Sequence, residues 1–118
     1  LSQCFCYTYH GKKVLASHGG LARMPENLSL VAAAELIYGT GEYEDGLTVD
    51  MSFAEHAADN EYQVHGHRNY EGVPVEVNEH CFNLDGAVEM GGQLRALELS
   101  EDGFAAVCIG NVSSSCKI

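Results

Sequence analysis

The chain has 118 residues, 46% hydrophobic and 19% charged, which suits one folded domain over residues 1–118 and excludes a disordered chain. Its formal charge of −11, with Lys12-Lys13 as the only basic pair, argues against a surface for phosphate backbones. No apolar run approaches the roughly 20 residues that a membrane-spanning helix requires, and an anionic protein is not drawn to anionic lipid.

In chain order, Cys4 to Tyr9 alternates, with Phe5, Tyr7 and Tyr9 on one face and Cys4, Cys6 and Thr8 on the other; this predicts a strand. Residues 10–24 read as a long loop holding a short strand at Val14-Leu15. Pro25 stands where a helix can begin. The apolar segment Leu28 to Ile37, stopped by Gly39 and Gly41, predicts the first helix. That helix is apolar around most of its circumference, so Leu28, Val31 and Leu36 are candidates for a partner interface, together with Cys116. Leu47 to Phe53 alternates without a break and predicts a second strand. Glu61 to Arg68 predicts a third, with Tyr62 and Val64 inward and Gln63, His65 and His67 outward. Val73, Val75 and Val77 predict a fourth, placed at an edge by Pro74. Asp85 offers a cap for a second helix running to Ser100, with a stripe of Leu84, Ala87, Val88, Gly91, Leu94 and Leu97. Phe104 to Ile109 is a continuous apolar run and predicts a last strand covered on both faces.

The predicted fold is therefore α+β: an antiparallel sheet with two helices on one face, in the ferredoxin-like split order β-α-β-β-α-β with one extra strand allowed. In that topology the first and last strands are neighbours, which brings Cys4 or Cys6 towards Cys108 and Cys81 towards the remaining cysteine of the first strand. Five cysteines leave one sulfur over after two bridges. Either Cys116 ties down the polar tail and another cysteine is spare, or Cys116 is the one left over.

Three features point to secretion. The chain begins with Leu1, as a mature protein does once its leader is removed. Asn27-Leu28-Ser29 and Asn111-Val112-Ser113 are glycosylation sequons. Five cysteines suit an oxidising compartment.

Chemistry-bearing constellations are sparse. His65-Gly66-His67 places two histidines at i and i+2, a spacing used by metal sites on strands, with Glu76, Glu79, His80 and Cys81 nearby to complete a shell. Cys4-Phe5-Cys6 lacks the spacing and helix-start position of redox pairs. No serine elbow or phosphate-cradling glycine loop occurs, and no cofactor is implied. Six histidines bring the formal charge from −11 to −5 when all are protonated.

The Cys4-x-Cys6 start, Cys81 before a helix, Cys108 in the last strand and the acidic, sequon-bearing chain resemble small secreted effectors of plant-pathogenic fungi. The likeness is to the secreted-in-xylem type and to killer-toxin-like α/β sandwiches, and it spans the whole domain. The resemblance implies a virulence protein that binds a companion effector or a host protein in the plant apoplast or xylem, as a homo- or heterodimer, with no catalysis. The alternative is a ferredoxin-like ligand-binding domain or metal-dependent enzyme using the His65/His67 face.

Overall fold

A computed structural model describes residues 4–69 and 72–110. The centre is a five-stranded mixed sheet, and a separate hairpin packs beside it. Strands β1 (Cys4–Tyr9) and β2 (Lys12–Ser17) form an antiparallel pair closed by His10-Gly11, both at positive φ. From β2 the chain crosses over through a one-turn 3-10 helix at Leu28–Leu30, α1 (Ala33–Tyr38), a second 3-10 turn at Tyr43–Asp45 and α2 (Gly46–His56). It returns as β3 (Glu61–His65), parallel to β2. Short strands β4 (Glu76–Asn78) and β5 (Cys81–Asn83) follow, β5 parallel to β3 and β4 antiparallel to β5. The strand order is β1-β2-β3-β5-β4. A one-turn 3-10 helix at Val88–Met90 leads to β6 (Gln93–Ser100) and β7 (Gly103–Gly110), which pair with each other as a separate two-stranded sheet.

Both faces of the sheet are covered at its centre. Register places Leu15, Gln63 and Cys81 side by side on one face, where Leu21, Leu36 and Phe53 close the core. The opposite face carries Val14, Tyr62 and Phe82, and Phe104 of β7 rests on Tyr62 and Phe82 with ring centroids 4.9 and 4.5 Å apart. The layers are helices, sheet and hairpin.

This architecture corrects the ferredoxin-like expectation. The central strands run parallel because a helical crossover joins β2 to β3, and such a crossover returns the chain in the same direction. Leu47 to Phe53 lies within α2, not in a strand. It buries Gly46, Val49, Asp50 and Phe53, the i, i+3, i+4, i+7 set of a helix, and leaves Leu47 and Met51 54% exposed. The expected second helix is instead a 3-10 turn followed by β6. Close approach enforces this: a Cβ on Gly92 would stand 2.0 Å from the carbonyl oxygen of Gly86. The expected first helix is divided, with Val31 and Ala32 extended between the 3-10 turn and α1. The strand expected at 73–77 is displaced to Glu76–Asn78. The last strand is present, but one of its faces is open.

The cysteine pairing changes with the topology. Strand β1 and strand β7 belong to different sheets, so Cys4 and Cys6 do not meet Cys108. Cys4, Cys6 and Cys81 are free thiols; Cys108 is not among them, and Cys116 lies outside the described residues. Cys81 begins β5 in the core and does not stand before a helix.

Candidate functional site

Three clusters carry the polar and exposed apolar chemistry. The first is interior. Asp50 projects from α2 onto β3, where His65 Nε2 donates to its two carboxylate oxygens at 2.9 and 3.1 Å. His65 Nδ1 stands 3.1 Å from the carbonyl oxygen of Gly66, and Gly20 lies over the ring, where a Cβ would fall 2.9 Å from Cδ2. Gln63 Nε2 donates to Asp50 Oδ1 (3.1 Å) and to the Leu21 carbonyl (2.9 Å), while its Oε1 accepts from the Leu21 N–H (3.0 Å). Cys81 Sγ donates to the Asp50 carbonyl at 3.4 Å, which Asn78 Nδ2 also reaches at 3.0 Å. Asp50, Gln63, His65 and Cys81 are all buried.

Cys, His and Asp thus share one neighbourhood without forming a relay. Both imidazole nitrogens are taken up by Asp50 and Gly66, and burial pushes the Cys81 thiol well above the ordinary range, with the Asp50 charge adding to it. The cluster is a structural clamp that satisfies every polar group it buries, fixing α2 to the sheet.

The second cluster lies beyond the C-terminal ends of the parallel strands, where open α/β sheets present their loops. His67 has a left-handed backbone, φ 67°, and its ring meets His18, Tyr43 and Tyr38 at centroid distances of 5.2, 5.5 and 6.0 Å. Burial, then the charges of His18 and Arg68, hold its pKa below the ordinary histidine value, with Asp85 pulling the other way. Behind it the buried Arg68 donates to the Tyr38 and Thr40 carbonyls at the end of α1, where a cation suits the helix dipole. A His67 that binds its proton less readily when folded contributes stability that is full above pH ~6.5 and is lost as pH falls below it. Urea midpoints at pH 7.5 and pH 5 are expected to draw closer in His67→Asn, which keeps a residue tolerant of positive φ; an unchanged difference would remove His67 from the pH response.

The histidines expected as a metal face are therefore separated in role. His65 turns inward to Asp50, and His67 lies past the strand end against His18. No group of three or more His, Cys, Asp or Glu side chains is placed to hold a metal ion among the described residues. The expected facing of β3 is also reversed: Gln63 and His65 are the fully buried residues, whereas Tyr62 and Val64 are only half-buried. His80 is turned to the Glu61 carbonyl, 2.7 Å from its Nδ1.

The third cluster is apolar and open. On β6 and β7 the residues Leu94, Ala96, Glu98, Ala105, Val107 and Ile109 share one face, with Leu94 opposite Ile109 and Ala96 opposite Val107. Leu94, Val107 and Ile109 are 60, 57 and 70% exposed, and Val88 and Met90 on the preceding turn are 52 and 82% exposed. Beside this face runs a groove of about 280 Å³ lined by His67, Asp85, Val88, Glu89 and Leu94.

Among the described residues expected as an interface on the first helix, none is fully exposed. Leu36 is buried in the core, and Leu28 and Val31 pack against it; α1 turns Ala33 and Ala34 outward instead. The hairpin face is hidden in the sequence because Leu94 also fits a helical stripe and the run Phe104 to Ile109 reads as a strand covered on both faces. Of the two sequons, Asn27 is exposed, and its Oδ1 accepts from the Ser29 N–H (3.0 Å) and hydroxyl (2.6 Å). Asn111 lies outside the described residues.

No family model, no curated protein and no solved structure matches the chain.

Proposed function

We propose that the chain is a secreted, effector-type protein that works by stoichiometric binding to another protein, a companion effector or a host protein, and turns over no substrate. The observation that carries this reading is the outer face of the β6–β7 hairpin. Its Leu94, Val107 and Ile109, continued by Val88 and Met90, stand open to water. A two-stranded hairpin gains nothing by exposing its β-branched residues, and contiguous apolar patches of this kind mark interfaces. The buried Asp50–His65 cluster offers a substrate neither a free nucleophile nor a free base, which favours binding over turnover. The separation of His65 and His67 in the fold favours this reading over a ligand site on a shared histidine face.

Charge defines the partner. Glu89 precedes the patch, Glu98 shares its face, and Glu101 and Asp102 close the hairpin at its far end; all four are exposed, on a chain of net charge −11. The complementary surface is apolar at its centre and lined with Lys or Arg at its rim.

The test is capture from plant extracellular fluid with the wild type and with Leu94→Lys, Ile109→Lys. The partner, once purified, is expected to bind the double variant at least ~30-fold more weakly, since two central apolar anchors contribute about 1–2 kcal/mol each. Thermal unfolding should be nearly unchanged, because both side chains are exposed. Equal binding by both proteins, or turnover of a substrate by the isolated chain, would overturn the reading.

A further inference from the structure

The two edges of the five-stranded sheet are treated differently. Strand β4 is three residues long, carries Glu76 and has a register irregularity between Glu76 and Asn78. Shortness, charge and bulges are the devices that stop an edge from pairing with another chain. Strand β1 has none of them. It is six residues long, pairs with β2 without a register shift, and its sequence Cys-Phe-Cys-Tyr-Thr-Tyr contains no charge and no proline. Phe5, Tyr7 and Tyr9 form an exposed aromatic row, with Phe5 and Tyr7 stacked at 5.6 Å. Cys6 and Thr8 on the other face are exposed as well.

We propose that β1 is a self-association edge: a second copy of the chain adds its own β1 antiparallel across a two-fold axis, and two five-stranded sheets become one of ten strands. The charge distribution selects a second copy as the occupant. All 17 acidic residues lie at or after Glu26, and the segment before it holds Lys12, Lys13 and Arg23. Two chains of net charge −11 repel over most of their surfaces, but at this edge the meeting strands are uncharged. The antiparallel arrangement also sends the Lys12-Lys13 pairs to opposite ends of the joint. Pairing there desolvates main-chain groups that find partners in each other, and stacks the aromatic rows across the seam.

A joint one strand wide buries less than a standard interface, so the dimer is expected to be weak and salt-dependent in an unusual direction. Salt screens the repulsion between the two acidic bodies without weakening the uncharged seam, so association strengthens as salt rises.

The experiment is sedimentation velocity of the full chain over about 10 µM to 1 mM, the range where such small interfaces associate, at low and high NaCl. Non-reducing denaturing electrophoresis checks that no covalent dimer contributes. The wild type is expected to move from 12.7 kDa towards twice that mass, at lower concentration in high salt. Tyr7→Lys, which places a charge on the edge, should remain monomeric throughout, and Tyr7→Thr should retain association. Thermal unfolding of each variant separates loss of pairing from loss of fold. A wild type that stays monomeric at the highest concentration and salt overturns the proposal. So does a dimer that survives Tyr7→Lys; if that dimer is abolished by Leu94→Lys with Ile109→Lys, the hairpin face is the self-contact and the reading of that face as an interface stands by itself.

Discussion

Asp50→Ala is expected to destabilise the protein by about 3–5 kcal/mol, because it strands two buried hydrogen-bond donors at roughly 1–3 kcal/mol each and opens a void beside them. The carboxylate accepts from His65 Nε2 through both oxygens and from Gln63 Nε2 through Oδ1, and all three side chains are sealed from water. Alanine leaves two buried donors facing a void. The loss is a large share of the roughly 5–15 kcal/mol that holds a domain together, so urea unfolding at pH 7 should show a much lower midpoint or a partly unfolded baseline. Asp50→Asn keeps an acceptor at the Oδ1 position and is expected to cost less, about 1–3 kcal/mol. Replacing Asp50 and His65 together by apolar residues of similar volume should cost less than Asp50→Ala alone, because no orphan donor remains at the histidine. A loss below about 1 kcal/mol for Asp50→Ala would mean that water reaches the pair, and that the clamp between α2 and β3 is not what stabilises the crossover.

The same residue explains much of what the sequence concealed. Leu47-Thr48-Val49-Asp50-Met51-Ser52-Phe53 satisfies two periods at once. Read at period two, Asp50 is an outward polar residue of a strand; read at 3.6, it joins Val49 and Phe53 on the buried face. Only its partner decides, and that partner is His65, fifteen residues away in β3. Strand β3 hid its facing for the matching reason. Alternation predicts that polar residues face water, but this sheet is covered on both sides, and Gln63 and His65 face a helix that brings their acceptor. The stretch from Leu84 to Ser100 is ambiguous in the same way, and Gly92 settles it through a close backbone contact with Gly86 that no local pattern reveals. Strands β1, β3 and β7 were legible because alternation or a glycine-bounded apolar run marks each of them. The His65-Gly66-His67 segment drew notice as chemistry-bearing, yet its two rings serve an interior clamp and a surface aromatic cluster.

Gly19→Ala should be among the most damaging substitutions of a small residue in this chain. A Cβ at Gly19 would lie 2.1 Å from the Gly39 nitrogen and 2.3 Å from the Tyr38 carbonyl carbon, and one at Gly39 would lie 2.2 Å from the Gly19 oxygen. These are backbone atoms, so no side-chain rotation relieves the contact. Here the chain leaving β2 crosses the end of α1, held by the Gly19 N–H on the Leu36 carbonyl (3.1 Å) and the Thr40 N–H on the Gly20 carbonyl (3.0 Å). A methyl group forces the two segments apart, breaks both hydrogen bonds, and draws Leu21 and Leu36 out of register with the core. The expected cost is about 3 kcal/mol or more, at the upper end for overpacking. Gly91→Ala is the control: it has positive φ, 84°, but nothing within 4 Å of the added carbon, so only the conformational cost of about 1–2 kcal/mol applies. Urea denaturation of both variants measures the difference. Equal losses would mean that the crossing accommodates a methyl group and that only backbone freedom matters at Gly19. A much larger loss at Gly19, together with a changed His67 ring environment by NMR, would establish that this crossing also sets His18 against His67, because His18 is the residue next to the contact.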